Sequence, residues 1–324
     1  MKLIADSGST KTDWVLLGDQ GEVMMSCKTQ GINPFHLQDE EILHVLREEL
    51  VMTESPTEVF FYGSGVTVAM QPRMNSLLQQ AFPQARVDAQ SDMIGAARAL
   101  FGNQPGIACI LGTGANSCLY DGKQIVMNTP PLGYILGDEG SGAVLGKLFL
   151  NGIFKGTLPA SIKQKYLQWS HLDYATIINK VYREPLANRF LASICPFISE
   201  QLEQAGKYEN GSDELNDIMS LERMLLGSFN QFYENNLVPY IHYVKMSLED
   251  ISQLEPGVKA WDSSLGDVPK VGFVGSVAYY FRSPLSLVMQ DEHHLKIEKI
   301  LHAPMEGLIE YHKKPVGGIS LAHT

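Results

Sequence analysis

Cysteine is sparse and scattered. Its four copies, Cys27, Cys109, Cys118 and Cys195, form no Cys-x-x-Cys pair, so their spacing indicates neither a zinc site nor a disulfide framework. Reduced, mostly buried thiols in a cytoplasmic protein are the expectation. Basic charge is in deficit as well. Against 36 Asp and Glu stand 25 Lys and Arg, a net charge of -11, which argues against nucleic acid or an anionic membrane as a general partner. No apolar run approaches the length of a membrane span, and the N-terminus passes from one lysine to Asp6 without a sustained apolar core. Secretion and membrane insertion are therefore not expected. What the chain does have is bulk. Its 324 residues, 44% of them hydrophobic, suffice for two domains with a core each and a cleft between them.

The first stretch with chemical character is Ile4 to Asp13. An apolar run, Leu3-Ile4-Ala5, delivers Asp6 into a turn of small and hydroxylic residues, Ser7-Gly8-Ser9-Thr10-Lys11-Thr12, and Trp14-Val15-Leu16-Leu17 resumes the apolar run. This is strand, tight turn, strand. Such a turn leaves successive N–H groups unobstructed for phosphate oxygens, and Asp6 is suited to hold Mg²⁺ or its waters against a polyphosphate. An ordinary hairpin turn has a similar composition, so both readings stand at this point. Beyond it, Glu22 to Thr29 reads as a third strand, Glu40 to Met52 as an amphipathic helix, and Val59 to Tyr62 as a buried strand ending in Gly63-Ser64-Gly65. Met74 to Phe82 reads as a helix, Ala85 to Ala89 as a strand, and Ser91 to Phe101 as a helix of small residues. The order is βββαβαβα.

At Ile107 the pattern starts again. An apolar strand, the turn Gly112-Thr113-Gly114-Ala115-Asn116, a strand to Tyr120, the turn Asp121-Gly122 and a strand from Gln124 to Met127 repeat the first hairpins in kind. Two related domains are expected, 1–105 and 106–324, each with one phosphate-type turn. Gly137-Asp138-Glu139-Gly140-Ser141-Gly142 then opens a helix, and residues from about 158 to 240 read as an almost wholly helical insertion. The stretch from Val244 to Pro269 has poor periodicity and reads as irregular. Val271 to Ser276 is a strand ending in Gly275-Ser276, followed by a helix expected from Val277 to about Gln290. A glycine there suits either a nucleotide or close helix-to-strand packing. Lys296 to His302 is a last strand and Glu306 to His312 a closing helix.

The three glycine-bearing strand ends, in this order, resemble the phosphate-1, phosphate-2 and adenosine motifs (the last at about 271–278) of the sugar kinase, Hsp70 and actin superfamily. With Ser91-Asp92, Gly95-Ala96-Ala97 and the Gly137 to Ser141 segment, the set resembles the N-acetylglucosamine kinase family. The resemblance implies an α/β protein of two ribonuclease-H-like domains in the actin-like ATPase fold, with a helical insertion in the second. It implies ATP and Mg²⁺ as cofactors, a small-molecule sugar substrate and a homodimer. By the same resemblance Asp92 is the general base, with helix capping as its other reading. Asn116 and Asp138 are sugar ligands, with Asn33, Ser64 and Glu139 as further candidates; Asn33 and Ser64 equally suit residues that fix their own loops. Ser7, Gly8, Ser9, Thr10, Lys11, Thr12, Gly112, Thr113 and Gly114 are expected around the phosphates, Asp6 at the metal, and Gly275 and Ser276 at the adenosine. Family members often carry Gly-Trp-Gly ahead of the acidic pair. Here Pro131-Leu132-Gly133 replaces it, which removes an indole platform beside the sugar. The activator ATPases of 2-hydroxyacyl-CoA dehydratases share these nucleotide motifs, but they bind a cluster through cysteines, and Cys109 and Cys118 lie inside predicted strands. A sugar sensor of the same fold would be expected to lose the turns or the base, and both are present.

Overall fold

Leu3, Ile4 and Ala5 are all fully buried, so the first strand is covered on both faces, which is why its sequence does not alternate. The computed structural model describes residues 1–8, 10–246 and 269–313. Ser9, most of the stretch expected to be irregular and the C-terminal tail lie outside the described residues. The chain divides into two compact units.

The first unit is built on strands β1 (Lys2–Ser7), β2 (Lys11–Leu17), β3 (Val23–Gln30), β4 (Glu58–Gly63) and β5 (Arg86–Ser91). They lie in the order β3-β2-β1-β4-β5. The three hairpin strands are antiparallel, and β1, β4 and β5 are parallel. One face packs Leu3, Ala5, Trp14, Val59 and Phe61 against Ile42, Leu46, Met74 and Leu78, residues of the helices Asp39–His44 and Gln71–Ala81 and the turn between them. The amphipathic helix expected from Glu40 to Met52 passes into a π turn at Val45–Glu49. Its Glu49 accepts the N–H of Gln30.

The second unit repeats the topology. Strands β6 (Gly106–Leu111), β7 (Ala115–Tyr120), β8 (Ile125–Met127), β9 (Val271–Val274) and β10 (Ile297–Leu301) lie in the order β10-β9-β6-β7-β8. That is the first sheet strand for strand, with the hairpins again antiparallel and β6, β9 and β10 parallel. The helix Gly142–Lys155 and a helical block from Ala160 to Lys245 supply the rest of its core, with Phe149, Phe197, Phe229 and Phe232 fully buried. The helix expected from Val277 to Gln290 is broken into Ser276–Tyr280, Arg282–Ser286 and a π turn at Leu287–Glu292. Pro284 accounts for the first break: it has no N–H to return to the Tyr280 carbonyl, and its ring would clash with that carbonyl in a continuous helix.

The closing helix, Met305–Lys313, packs in the first unit rather than with the sequence-adjacent second. The outer side of β4 presents Phe60 and Tyr62, and His312 covers both. Its ring lies 4.0 Å from that of Phe60, its Nε2 lies 2.9 Å from the Tyr62 hydroxyl, and its carbonyl accepts from Lys2 Nζ. The helix thus fills a sheet face that the first 104 residues cover only in part, with the helix Asp92–Phe101.

Candidate active site

Register places the first unit's candidates. Ser7, Gly63 and Ser91 are partners across β1, β4 and β5, and Asp6, Tyr62 and Gln90 form the row beneath. Asp6, Ser64 and Asp92 therefore leave the sheet at one edge, the carboxyl ends of three parallel strands, where open α/β sheets bind their ligands. Asp6 is pushed up to about 7, first by burial and then by the carboxylates of Asp13 and Asp92, with Lys11 opposing. Burial likewise raises Asp92, against the hydrogen bond it accepts from the Met93 N–H. Capping does not explain this aspartate. The N-cap is Ser91, whose hydroxyl accepts the Ile94 N–H, and Asp92 is the first helical residue.

The other candidates of this unit have mixed surroundings. The Ser7 and Thr12 hydroxyls are buried and hydrogen-bonded to each other at 2.7 Å, with the carbonyls of Ile32 and Gln30 as acceptors within reach of the proton not shared between them. They hold the turn. Gly8 donates its N–H to the Lys11 carbonyl, and Thr10 is exposed at the tip. Lys11 Nζ lies 2.7 Å from Asp13. Asn33 accepts the Phe35 N–H and so fixes its own loop, while Ser64 donates its N–H to the Ser7 carbonyl.

In the second unit the turn Gly112 to Gly114 is closed by a bond from the Gly112 N–H to the Gly114 carbonyl. Its Gly112 and Thr113 carbonyls accept the first N–H groups of the helix Gly142–Lys155. Asp138 sits in left-handed backbone, φ 53°, a conformation that a non-glycine residue holds only when its surroundings impose it. Here its half-buried carboxylate, raised chiefly by burial, accepts backbone hydrogen bonds from Ala115 and Gly133. It thereby ties the phosphate-type turn to the segment after Leu132. Glu139 is held by Asn235 Nδ2 at 2.8 Å and Asn236 Nδ2 at 3.4 Å. Asn116 accepts from Asn128 Nδ2 at 3.0 Å and from the Ser117 N–H. Gly275 has φ 126°, and a Cβ there would stand 2.2 Å from the Leu111 carbonyl oxygen, so close packing demands this glycine. Ser276 beside it is exposed. The asparagines at 128, 235 and 236 were not among the expected site residues. The Asn-Asn doublet, a poor helix former inside a helical pattern, was the available signal.

No protein-family model and no curated protein matches the chain. Among solved structures, a protein of Porphyromonas gingivalis provisionally assigned as an N-acetylglucosamine kinase is 41% identical, with 97% of this chain and 99% of that one covered and a TM-score of 0.81. The chain belongs to the N-acetylglucosamine kinase family. A second provisionally assigned N-acetylglucosamine kinase, from Chromobacterium violaceum, is 17% identical over 96% of this chain and 98% of its own, with a TM-score of 0.61. A ROK family transcriptional regulator, a homologue of the Escherichia coli MLC protein, is 13% identical over 96% and 79%, with a TM-score of 0.50. At these identities the likeness concerns the fold alone. As in the family, the two five-stranded sheets of one topology make two ribonuclease-H-like units of the actin-like ATPase fold. Among the described residues no helix is long and apolar enough to cross a membrane.

Proposed function

We propose that the chain transfers the terminal phosphoryl group of ATP to the 6-hydroxyl of N-acetylglucosamine. The observation that carries this reading is Asp92: a carboxylate of raised pKa at the carboxyl edge of the parallel strands, with the capping of its helix already done by Ser91. A base of this kind accepts the hydroxyl proton as the oxygen attacks. Asp138 and Asn116, with Glu139 held by its two asparagines, supply the paired acceptors and donors that vicinal sugar hydroxyls need. The turns at Gly8 to Thr10 and Gly112 to Gly114, with Gly275 and Ser276, serve the nucleotide.

Mg²⁺ fits Asp6. Among the described residues no three His, Cys, Asp or Glu gather as a protein-only metal cage. Magnesium in phosphoryl transfer commonly takes one or two carboxylates and completes its shell with phosphates and water. The crowding of Asp6 by Asp13 and Asp92 is a charge excess that a divalent cation relieves. When bound, the ion neutralises charge on the phosphate oxygens. A homodimer in the cytoplasm belongs to the same proposal.

The test is ADP release from MgATP with the purified chain, against hexoses, amino sugars and N-acetylated amino sugars beside a control without sugar. A response confined to N-acetylglucosamine is expected. A response to glucosamine or N-acetylmannosamine instead would reassign the substrate, and turnover independent of sugar, or none, would remove the kinase reading.

A further inference from the structure

The helix Tyr174–Tyr182 of the second unit carries apolar residues on two neighbouring stripes. Ile177 is buried and Val181 packs against the core, which is the stripe an amphipathic helix needs. The second stripe faces outward: Tyr174 is 59% exposed, Ile178 37% and Tyr182 76%. Spaced four residues apart, they stand one above another along the helix. The Tyr174 ring is braced by the Phe154 ring, which it meets edge-on with centroids 5.1 Å apart. Apolar residues exposed singly need no explanation, whereas an aligned row with two aromatics marks an interaction surface.

The row reads the same in both directions, aromatic, aliphatic, aromatic, with Ile178 midway between the tyrosines. A surface that meets its own copy across a two-fold axis needs this symmetry, because each residue faces its counterpart in reversed order. An antiparallel pair centred on Ile178 sets Tyr174 against the partner subunit's Tyr182 and the reverse. Charge agrees with this arrangement. At a net charge of -11, two copies repel unless the meeting faces are neutral or matched. The row itself carries no charge, and its ends carry opposite ones. Asp173 caps the helix by accepting the Thr176 N–H at 2.8 Å, and the bonds from Thr176 hold its carboxyl below the usual carboxylate range. Arg183 closes the other end and is exposed. The antiparallel alignment brings each Asp173 to the end where the partner subunit's Arg183 stands, while Glu184 is engaged by Asn179 and Lys180 of its own chain. The three side chains of the row expose roughly 300–400 Å². That is close to half of the about 800 Å² that each copy gives a stable pair, whose remainder includes a polar rim.

We propose that the chain pairs with a second copy of itself through this helix, with Ile178 on the two-fold axis and the tyrosines packed crosswise around it. The inference rests on the kinase reading only for the homodimer named there, and it adds the face that forms it.

The experiment measures the oligomeric state of the full chain by sedimentation velocity for the wild type, Ile178→Glu and Val51→Glu, the last at an exposed apolar position of the first unit. Ile178→Glu sets two like charges against each other on the axis and should raise the dimer dissociation constant about 100-fold or more. Val51→Glu should leave it unchanged. Under mild oxidation Ile178→Cys should give a disulfide-linked dimer and Val51→Cys should not, and this cross-link decides if circular dichroism shows Ile178→Glu to be unfolded. A monomeric wild type overturns the pairing. A folded Ile178→Glu variant that dimerises as tightly as the wild type also overturns it, as does a dimeric Ile178→Cys protein that forms no cross-link. Sugar-dependent ADP release, measured on the same wild-type protein, tests the kinase reading separately: a dimer without turnover removes that reading and keeps the pairing.

Discussion

The proposed reaction asks different work of two carboxylates at one sheet edge, and their surroundings separate them. Asp92 is raised by burial and bonded only within its own helix start, so its replacement should be local in effect. Asp92→Asn should lower kcat by about 10²–10⁴-fold, the usual worth of a positioned base, with little change in sugar affinity; calorimetry with the sugar and steady-state kinetics read the two parts. Turnover within a few-fold of wild type would dismiss Asp92 as the base. Asp6 makes a prediction about pH. It titrates near 7 when folded against 3.8 as a free aspartate, so between those values the folded chain holds a proton that the unfolded chain has lost. Stability therefore falls as pH rises through this window, and the deficit is complete above about 7. Asp6→Asn should raise the Tm of the ligand-free chain at pH 8 more than at pH 4, while abolishing MgATP-dependent turnover. A stabilised but inactive variant is what a metal-holding carboxylate predicts. A Tm difference independent of pH would show that Asp6 is not titrating in that range.

At the scale of elements, strands were legible and helices less so. β1, β6 and β9 announce themselves because both faces are buried and the runs are continuous, and Gly8, Gly112 and Gly275 mark their ends. The broken helix after Gly275 and the π turns at 45–49, 233–237 and 287–292 were not legible, since apolar spacing continues through them. The placement of Met305–Lys313 was hidden for another reason: sequence order says nothing of which sheet face lacks a cover. That helix carries its own test. Burial, then Arg98 and Lys2, push His312 down to about 3 from the 6.5 of a free histidine. The Tyr62 hydroxyl accepts from Arg98, whose guanidinium also faces Asp88 and the Tyr311 ring. Below pH 6.5 the unfolded chain takes up a proton that the folded one refuses. The stabilisation is thus present above 6.5 and is lost as pH falls toward 3, about 2 kcal/mol by pH 5. The Tm should drop between pH 7 and 5, and His312→Gln should flatten that drop at the cost of a lower Tm at pH 7. An unchanged slope in the variant would mean that other groups set the acid limb.

For the whole molecule, the repeat from Ile107 showed that the architecture is duplicated, and strand order agrees in both sheets. Asn116, Asp138 and Asp92 could be named because their motifs are local. The partners that orient Asn116 and the neighbouring Glu139, Asn128 for the first and Asn235 and Asn236 for the second, come from separate elements and became visible only in three dimensions. The same non-locality decides what can fold alone. The chain builds most of its first unit in residues 1–104, spends 105–121 and 125–302 on the second with a brief return at 122–124, and comes back to the first from Ala303. A fragment ending at Gln104 exposes Phe60 and Tyr62, which are 7% and 1% accessible in the full chain, and leaves the Arg98 guanidinium without the Tyr311 ring and Tyr62 without His312. Losing the cover over two aromatic side chains forfeits several kcal/mol by burial alone, comparable with the whole stability of a small domain. Fragment 1–104 should therefore show no cooperative thermal transition by circular dichroism. The same fragment joined through a flexible linker to residues 303–313 should recover one. Cooperative unfolding of the short fragment on its own would show that the returning helix decorates the first unit rather than completing it.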